Sequence, residues 1–220
     1  VLTLLDYLIR GLSLGSVYAI IALGYTMVYG IAKMLNFAHG DVIMVGAYVC
    51  FFAMTGLSPM FEAGSMAAAV VPALAGVVLS MAVCTVLGVV IEGLAYKPLR
   101  QAPSLAVLIT AIGVSYFLQN SALILWSSSP KIFSPIVGSG SQKIGPLTIS
   151  HVTLVTIAAC IVIVAVLVWF TGKTKKGKAM RACSEDKGAA QLMGINVNGT
   201  ISLTFAIGSG LAAVAALMYC

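Results

Sequence analysis

The chain has 220 residues, of which 60% are apolar and 8% charged, with a formal net charge of +6. Soluble domains carry about 25% charged residues, so a water-soluble globule is excluded. The basic excess sits in short stretches between apolar runs, where it orients a protein in a bilayer; nucleic-acid binding is not expected.

A hydrocarbon core roughly 30 Å thick takes about 20 apolar residues of helix, and only helices or closed barrels satisfy the backbone there. The apolar runs are continuous rather than alternating. The expected fold is therefore all-α, a polytopic transmembrane helix bundle with about six spans. They fall at residues 8–31, 37–54, 65–91, 104–126, 152–171 and 200 to the end. With Val1 in place of Met and Cys220 inside an apolar run, residues 1–220 are expected to be one transmembrane domain cut short at its C-terminus, without a signal peptide. Five cysteines in no CxxC or Cys/His spacing suggest neither a disulfide framework nor a metal site, and no cofactor is expected.

Span 1 places Gly11 and Gly15 at GxxxG spacing, which suits close helix packing in lipid. Ser13 between them completes GxSxG, but a nucleophile elbow needs a strand-to-helix turn and a triad, and neither is near. Asn36, His39 and Asp41 cluster where span 2 begins. One reading is a capped helix end, with Asn36 as N-cap and Asp41 in the first turn. The other is a broken helix at membrane depth whose polar groups line a translocation path. Haem ligation by His39 lacks a partner, since His151, the other histidine, starts span 5 on the opposite side.

Span 3 contains Pro72 and ends at Glu92. Glu92 is read as an exposed partner of Lys97 or Arg100, a pair of little energetic weight, with topology marking the main role of that loop. In span 4, Gln119 and Asn120 suit interhelical hydrogen bonding or path lining. The loop at 127–150 reads as a connector or an external docking site, and the sequence does not choose between them.

After span 5 comes the one long polar island, KTKKGKAMRACSEDKGAAQLMGINV at residues 173–197, with half of all Lys and Arg in the chain. Gly172-Lys173-Thr174 is no P-loop, because Leu167 stands where a glycine is needed. Residues 177–193 suit one or two short helices stopped by Gly194. The loops holding Lys33, Lys97, Arg100 and the island contain nine of the 12 basic residues, which puts them in the cytoplasm and the N-terminus outside. On that side the sequon at Asn198 would stay unmodified. A basic face touching anionic lipid is the plain reading of the island; its length and its alanines suggest a partner surface as well.

GLSLGSVYAIIALGYTMVYGI (11–31), NFAHGDVIMVGAYV (36–49), AIGVSYFLQN (111–120) and MRACSEDKGAAQLMGINVN (180–198) together resemble the membrane subunit of branched-chain amino acid ATP-binding-cassette (ABC) transporters, the Liv-type permease, on the H-type side of that family. The resemblance covers nearly the whole chain. It implies a non-enzymatic, multi-pass subunit of the bacterial inner membrane that moves its cargo by alternating access. The implied partners are a second permease subunit, two cytoplasmic ABC ATPases and a periplasmic amino-acid-binding protein. It also implies a cytoplasmic coupling loop at 172–198. The family's EAA-xxx-G pattern falls on Gly188, Ala189, Ala190 and Gly194, with glycine in place of glutamate; the coupling candidates are Arg181, Glu185, Ala189, Ala190 and Gly194. Rival functions are a permease for urea or another small amide, and a proton-coupled secondary transporter that uses His39 and Asp41 as a relay.

Overall fold

The structure, a computed structural model, describes residues 2–57, 60, 66–131, 141–144 and 147–219, with side chains described for 4–57, 60, 71–131 and 150–219. Its elements in chain order are α1 (Leu2–Ala32), α2 (His39–Leu57), α3 (Met66–Ile91), a π-helical turn (Glu92–Tyr96), a 3-10 turn (Lys97–Leu99) and α4 (Ser104–Trp126). They continue with a hairpin of β1 (Ser141–Ile144) and β2 (Leu147–Ser150), then α5 (His151–Lys173), α6 (Lys175–Glu185), α7 (Lys187–Leu192) and α8 (Val197–Tyr219). Among the described residues, six helices are long and apolar enough to cross a membrane. They match the six expected spans to within a few residues; the start of the third, at Ser65, lies outside the described residues.

The bundle is built around α8. One face after another of that helix is buried, from Thr200 through Phe205 to Ala216, and it packs on α1, α2 and α3. Its small residues permit this. Cβ atoms built at Gly24 and Gly208 would each meet the other residue's carbonyl oxygen at 3.0 Å, so α1 and α8 touch backbone to backbone there. A Cβ at Gly88 of α3 would overlap Ser209, and one at Gly46 of α2 would press on the Ala213 backbone at 3.3 Å. Such approach gives dispersion contacts and short polar links between helices in a solvent with no hydrophobic drive of its own. One link runs from the Ser80 hydroxyl to the Gly46 carbonyl at 2.8 Å. By contrast, nothing among the described residues comes within 4 Å of a Cβ built at Gly11 or Gly15. The close crossings sit deeper in α1, at Gly24, than the GxxxG spacing suggested.

The helices α4 and α5 lie at the margins. The main contacts of α4 are with α2 and the π-turn, and those of α5 are with α1 and α6. Both leave large apolar side chains exposed, among them Phe117 and Ile124 on α4 and Val168 and Trp169 on α5. Such faces contact lipid or another subunit. Part of the loop at 127–150 forms the antiparallel hairpin, in which Gln142 pairs with Ile149 and Lys143 with Thr148; residues 132–140 lie outside the described residues. Ser150 then caps α5, accepting a hydrogen bond from the Val152 N–H at 3.3 Å.

Candidate functional site

Only six residues separate α1 from α2. Lys33, at φ 58°, closes α1 in the left-handed region, with its N–H on the Tyr29 carbonyl at 2.9 Å. Both flanking helices can cross a membrane. The expected N-cap is not where the sequence put it. The helix begins at His39, and the Asn36 side chain is buried with its Oδ1 accepting from the Tyr96 hydroxyl at 3.1 Å. Asn36 thus ties the α1–α2 link to the π-turn after α3.

His39 and Asp41 point different ways, as residues two apart on a helix must. His39 is buried against α1. Its ring stands 3.0 Å from where a Gly24 Cβ would be and lies edge-on to Tyr25 at 6.0 Å between centroids. Its Nε2 is buried without a hydrogen-bond partner among the described residues. Asp41 turns to α4. It is 7% exposed and accepts hydrogen bonds from the Ser115 hydroxyl and, at 3.0 Å, from Gln119 Nε2. Gln119 also donates to Ser115 Oγ at 3.2 Å. Ser115 and Gln119, one helical turn apart on α4, therefore close on Asp41 as a clamp. Asn120 does not join it: its amide donates to the Tyr116 carbonyl at 2.7 Å on the exposed face of α4.

The expected pairing of Glu92 with Arg100 is present, but its expected exposure is overturned. Glu92 is 1% exposed, not a surface partner. Its carboxyl accepts hydrogen bonds from the Arg100 guanidinium on one oxygen and from the Ser202 hydroxyl at 2.6 Å on the other. Arg100 also donates to Asn198 Oδ1. This network pins the end of α3, the turn before α4 and the start of α8 together. A carboxyl this deep is tolerable only because it is paired and hydrogen-bonded.

The polar island folds as expected into two short helices and a glycine stop. Thr174 breaks α5 from α6 and caps the latter, accepting from the Gly177 N–H at 3.0 Å. Asp186 caps α7, its Oδ1 accepting from the N–H groups of Gly188 at 2.7 Å and Ala189 at 3.1 Å. Gly194, at φ 81°, ends it. The structure divides the five coupling candidates. Arg181, Glu185, Ala189 and Gly194 are exposed, whereas Ala190 is buried in a cluster with Ile31, Met180 and Cys183. Arg181 is also tied back, donating to the Gly172 carbonyl at 3.3 Å. The sequence reading missed the tip of α7, where Leu192 is 90% and Met193 82% exposed. It also missed Lys187, whose Nζ donates to the carbonyl of Ala32 at the end of α1 at 2.7 Å.

Lys33, Arg100 and Lys187 line one cavity of about 350 Å³. The three loops that hold nine of the 12 basic residues thus meet at one end of the bundle, as alternating spans require.

A bundle with six helices long and apolar enough to cross a membrane among its described residues is a polytopic membrane protein. The comparisons give its family. The model of the branched-chain amino acid transport system permease component matches residues 7–220. The chain is 40% identical over 218 residues to the high-affinity branched-chain amino acid transport system permease protein BraD of Pseudomonas aeruginosa, covering 97% of this chain and 70% of that one. It is likewise 40% identical over 220 residues to the permease protein LivH of Escherichia coli K12, with the same coverage. A probable LivH of Methanocaldococcus jannaschii is 28% identical over 210 residues, covering 89% of this chain and 60% of that one. No solved structure matches. The chain belongs to the branched-chain amino acid transport permease family, and it is a multi-pass membrane protein.

Proposed function

We propose that the chain is one of two permease subunits of an ABC importer in the bacterial inner membrane, and that it carries branched-chain, hydrophobic amino acids inward by alternating access. The end with Lys33, Arg100 and α6–α7 then faces the cytoplasm, by its excess of basic residues. A periplasmic binding protein delivers the cargo on the other side, and two ATPases hydrolyse ATP below; the permease itself catalyses nothing.

The observation that carries this reading is the build of α7. It is a short helix, capped at both ends and anchored to the bundle by Ala190, with an apolar tip at Leu192 and Met193 turned outward. A solvated surface loop has no reason to expose such a tip; a helix gripped by a partner does. A push on α7 reaches α1 through the Lys187 bond to Ala32. The same helix meets α8 at Gly24, beside His39. ATPase closure that favours one arrangement of α7 would thus shift the spans, since only differential affinity moves such an equilibrium. The clamp of Asp41, Ser115 and Gln119 is the candidate polar lining; His39 is turned to α1, Asn36 to Tyr96, and Asn120 to its own helix. Against a proton relay, His39 and Asp41 face roughly 200° apart on α2 and engage different helices.

The test is ATP-driven uptake by the reconstituted importer. Leu192→Glu is expected to abolish both ATPase assembly and uptake of leucine, isoleucine and valine. Normal uptake by that variant would reject the coupling role. Uptake of urea or small amides in preference would reassign the cargo, and uptake driven by a pH gradient without ATP would reject the class.

A further inference from the structure

We propose that the cavity beside Lys33, Arg100 and Lys187 binds a phosphate-bearing anion, either the headgroup of an anionic phospholipid or a free phosphate. It lies where the end of α1, the link to α2, the turn before α4 and the start of α7 come together. Its volume, about 350 Å³, is within the range of small-ligand clefts, roughly 300–1,000 Å³.

Charge makes the case first. Three cations line the cavity, and no acidic residue does. Glu92 offsets one of them by its pairing with Arg100. That pairing leaves Arg100 Nε buried without a hydrogen-bond partner among the described residues. Lys187 spends one N–H on Ala32 and keeps two. Its pKa is pushed below the ordinary lysine value, first by burial and then by the charges of Arg100 and Lys33. Lys33 and Lys187 have no acidic ion-pair partner among the described residues, and like charges held this close are a cost that a bound anion removes.

The remaining walls narrow the ligand. Leu35, Val107 and Leu108 are apolar, and Ser104 adds a hydroxyl at the N-terminus of α4. Tyr29 and Leu35 at the rim are exposed, as is Leu105 next along α4. An exposed Lys33 and partly buried Arg100 and Lys187 beside apolar walls, at the end of membrane-spanning helices, match a phosphate with the first carbons of its acyl chains beside it. Basic pockets between spans are where anionic headgroups settle.

The experiment uses the full-length permease, purified in mild detergent and stripped of lipid. Dioleoylphosphatidylglycerol, dioleoylphosphatidylethanolamine and inorganic phosphate are added separately. Retained ligand is read by native mass spectrometry, and thermal unfolding is followed in parallel. Phosphatidylglycerol is expected to bind and stabilise, phosphatidylethanolamine to do neither, and Lys33→Gln to weaken binding about fivefold, the loss of one cation near an anionic surface. Lys33→Arg is expected to restore it. Should Lys33→Gln fold poorly, protection of Lys33 from an amine-reactive reagent in the unaltered protein gives the same reading. Binding of inorganic phosphate with the same Lys33 dependence assigns the site to a free phosphate; binding of the lipid alone assigns it to a headgroup. Equal binding of both lipids, indifference to Lys33→Gln, or protection of Lys33 by the partner ATPase but by none of the three ligands would overturn the proposal.

Discussion

Replacing Glu92 gives the sharpest test of how this bundle is held. The carboxyl is almost fully enclosed, with Arg100 on one oxygen and Ser202 on the other. Removing one partner of a buried pair costs about 3–5 kcal/mol, because the other charge is left uncompensated. Arg100 is more open than Glu92 and borders a cavity that admits water, so Glu92→Leu belongs at the lower end, about 3 kcal/mol. Arg100→Met strands the carboxyl instead and is expected to cost about as much. The double variant strands neither charge; it loses the bond to Asn198, about 1 kcal/mol, and gains apolar contact. With each single loss about 3 kcal/mol and the double loss about 1 kcal/mol, the coupling between the two sites is then about 5 kcal/mol. Denaturant titration of the four purified proteins in detergent, followed by tryptophan fluorescence, measures the cycle. Additive losses, with coupling below about 0.5 kcal/mol, would refute the claim that Glu92 and Arg100 act as a pair.

Four further outcomes follow from the geometry. Gly24→Ala forces a Cβ against the Gly208 carbonyl and the His39 ring and is expected to cost about 1–3 kcal/mol, whereas Gly40→Ala, which meets nothing within 4 Å, is expected to be neutral or stabilising by up to about 1 kcal/mol; thermal unfolding separates them. Gln119→Leu removes one of the two donors to Asp41 and is expected to cost about 1–3 kcal/mol, while Asn120→Leu loses only a bond to its own helix and is expected to lie within about 0.5 kcal/mol of the unaltered protein. Ala190→Glu drives a charge into the Ile31–Met180–Cys183 cluster and is expected to loosen α7 even without partners, seen as faster proteolysis at 185–195; Ala189→Glu, on the exposed side, is expected to leave that pattern unchanged and to impair only ATPase binding. Lys187 has a depressed pKa, so its charged form disfavours the fold. Raising the pH through that pKa towards the ordinary 10.5 therefore adds a stabilising increment, which is expected to vanish in Lys187→Gln when unfolding midpoints are compared at pH 8 and 10.

The spans were legible because their lengths are dictated by bilayer thickness and their runs contain few charges. The choice of α8 as the central helix was not. Most of its buried residues are Gly, Ser, Thr and Ala, which do not stand out on a hydropathy scale, and its partners lie far away in the chain. The polar sites were half legible. Asp41 and Gln119 stood out as isolated polar residues in apolar runs, but Ser115 did not, since serine is common in membrane helices. Its spacing of four from Gln119 was the available signal. Adjacent residues on a helix face about 100° apart, so only one of Gln119 and Asn120 could reach α2. Glu92 was misjudged because it was read with the loop that follows it. The π-turn keeps the chain coiled through Tyr96, which carries Glu92 inside. Asn36 had the residue type of a cap, but the Tyr96 hydroxyl competed for its side chain.

The central position of α8 bears on how the protein is made. Gly24 emerges from the ribosome early and Gly208 late, yet each is the other's contact surface. Until α8 is inserted, the α2–α3 pair, joined through Ser80 and Gly46, lacks its cover and α1 lacks the surface that Gly24 packs on. The earlier spans must wait in the bilayer incompletely packed, open to wrong pairings and to quality-control proteases. Assembly of this bundle is thus a late event gated by its last described span. A nascent chain arrested between α7 and α8 is expected to remain protease-sensitive, and a separately synthesised α8 supplied to it is expected to restore protection.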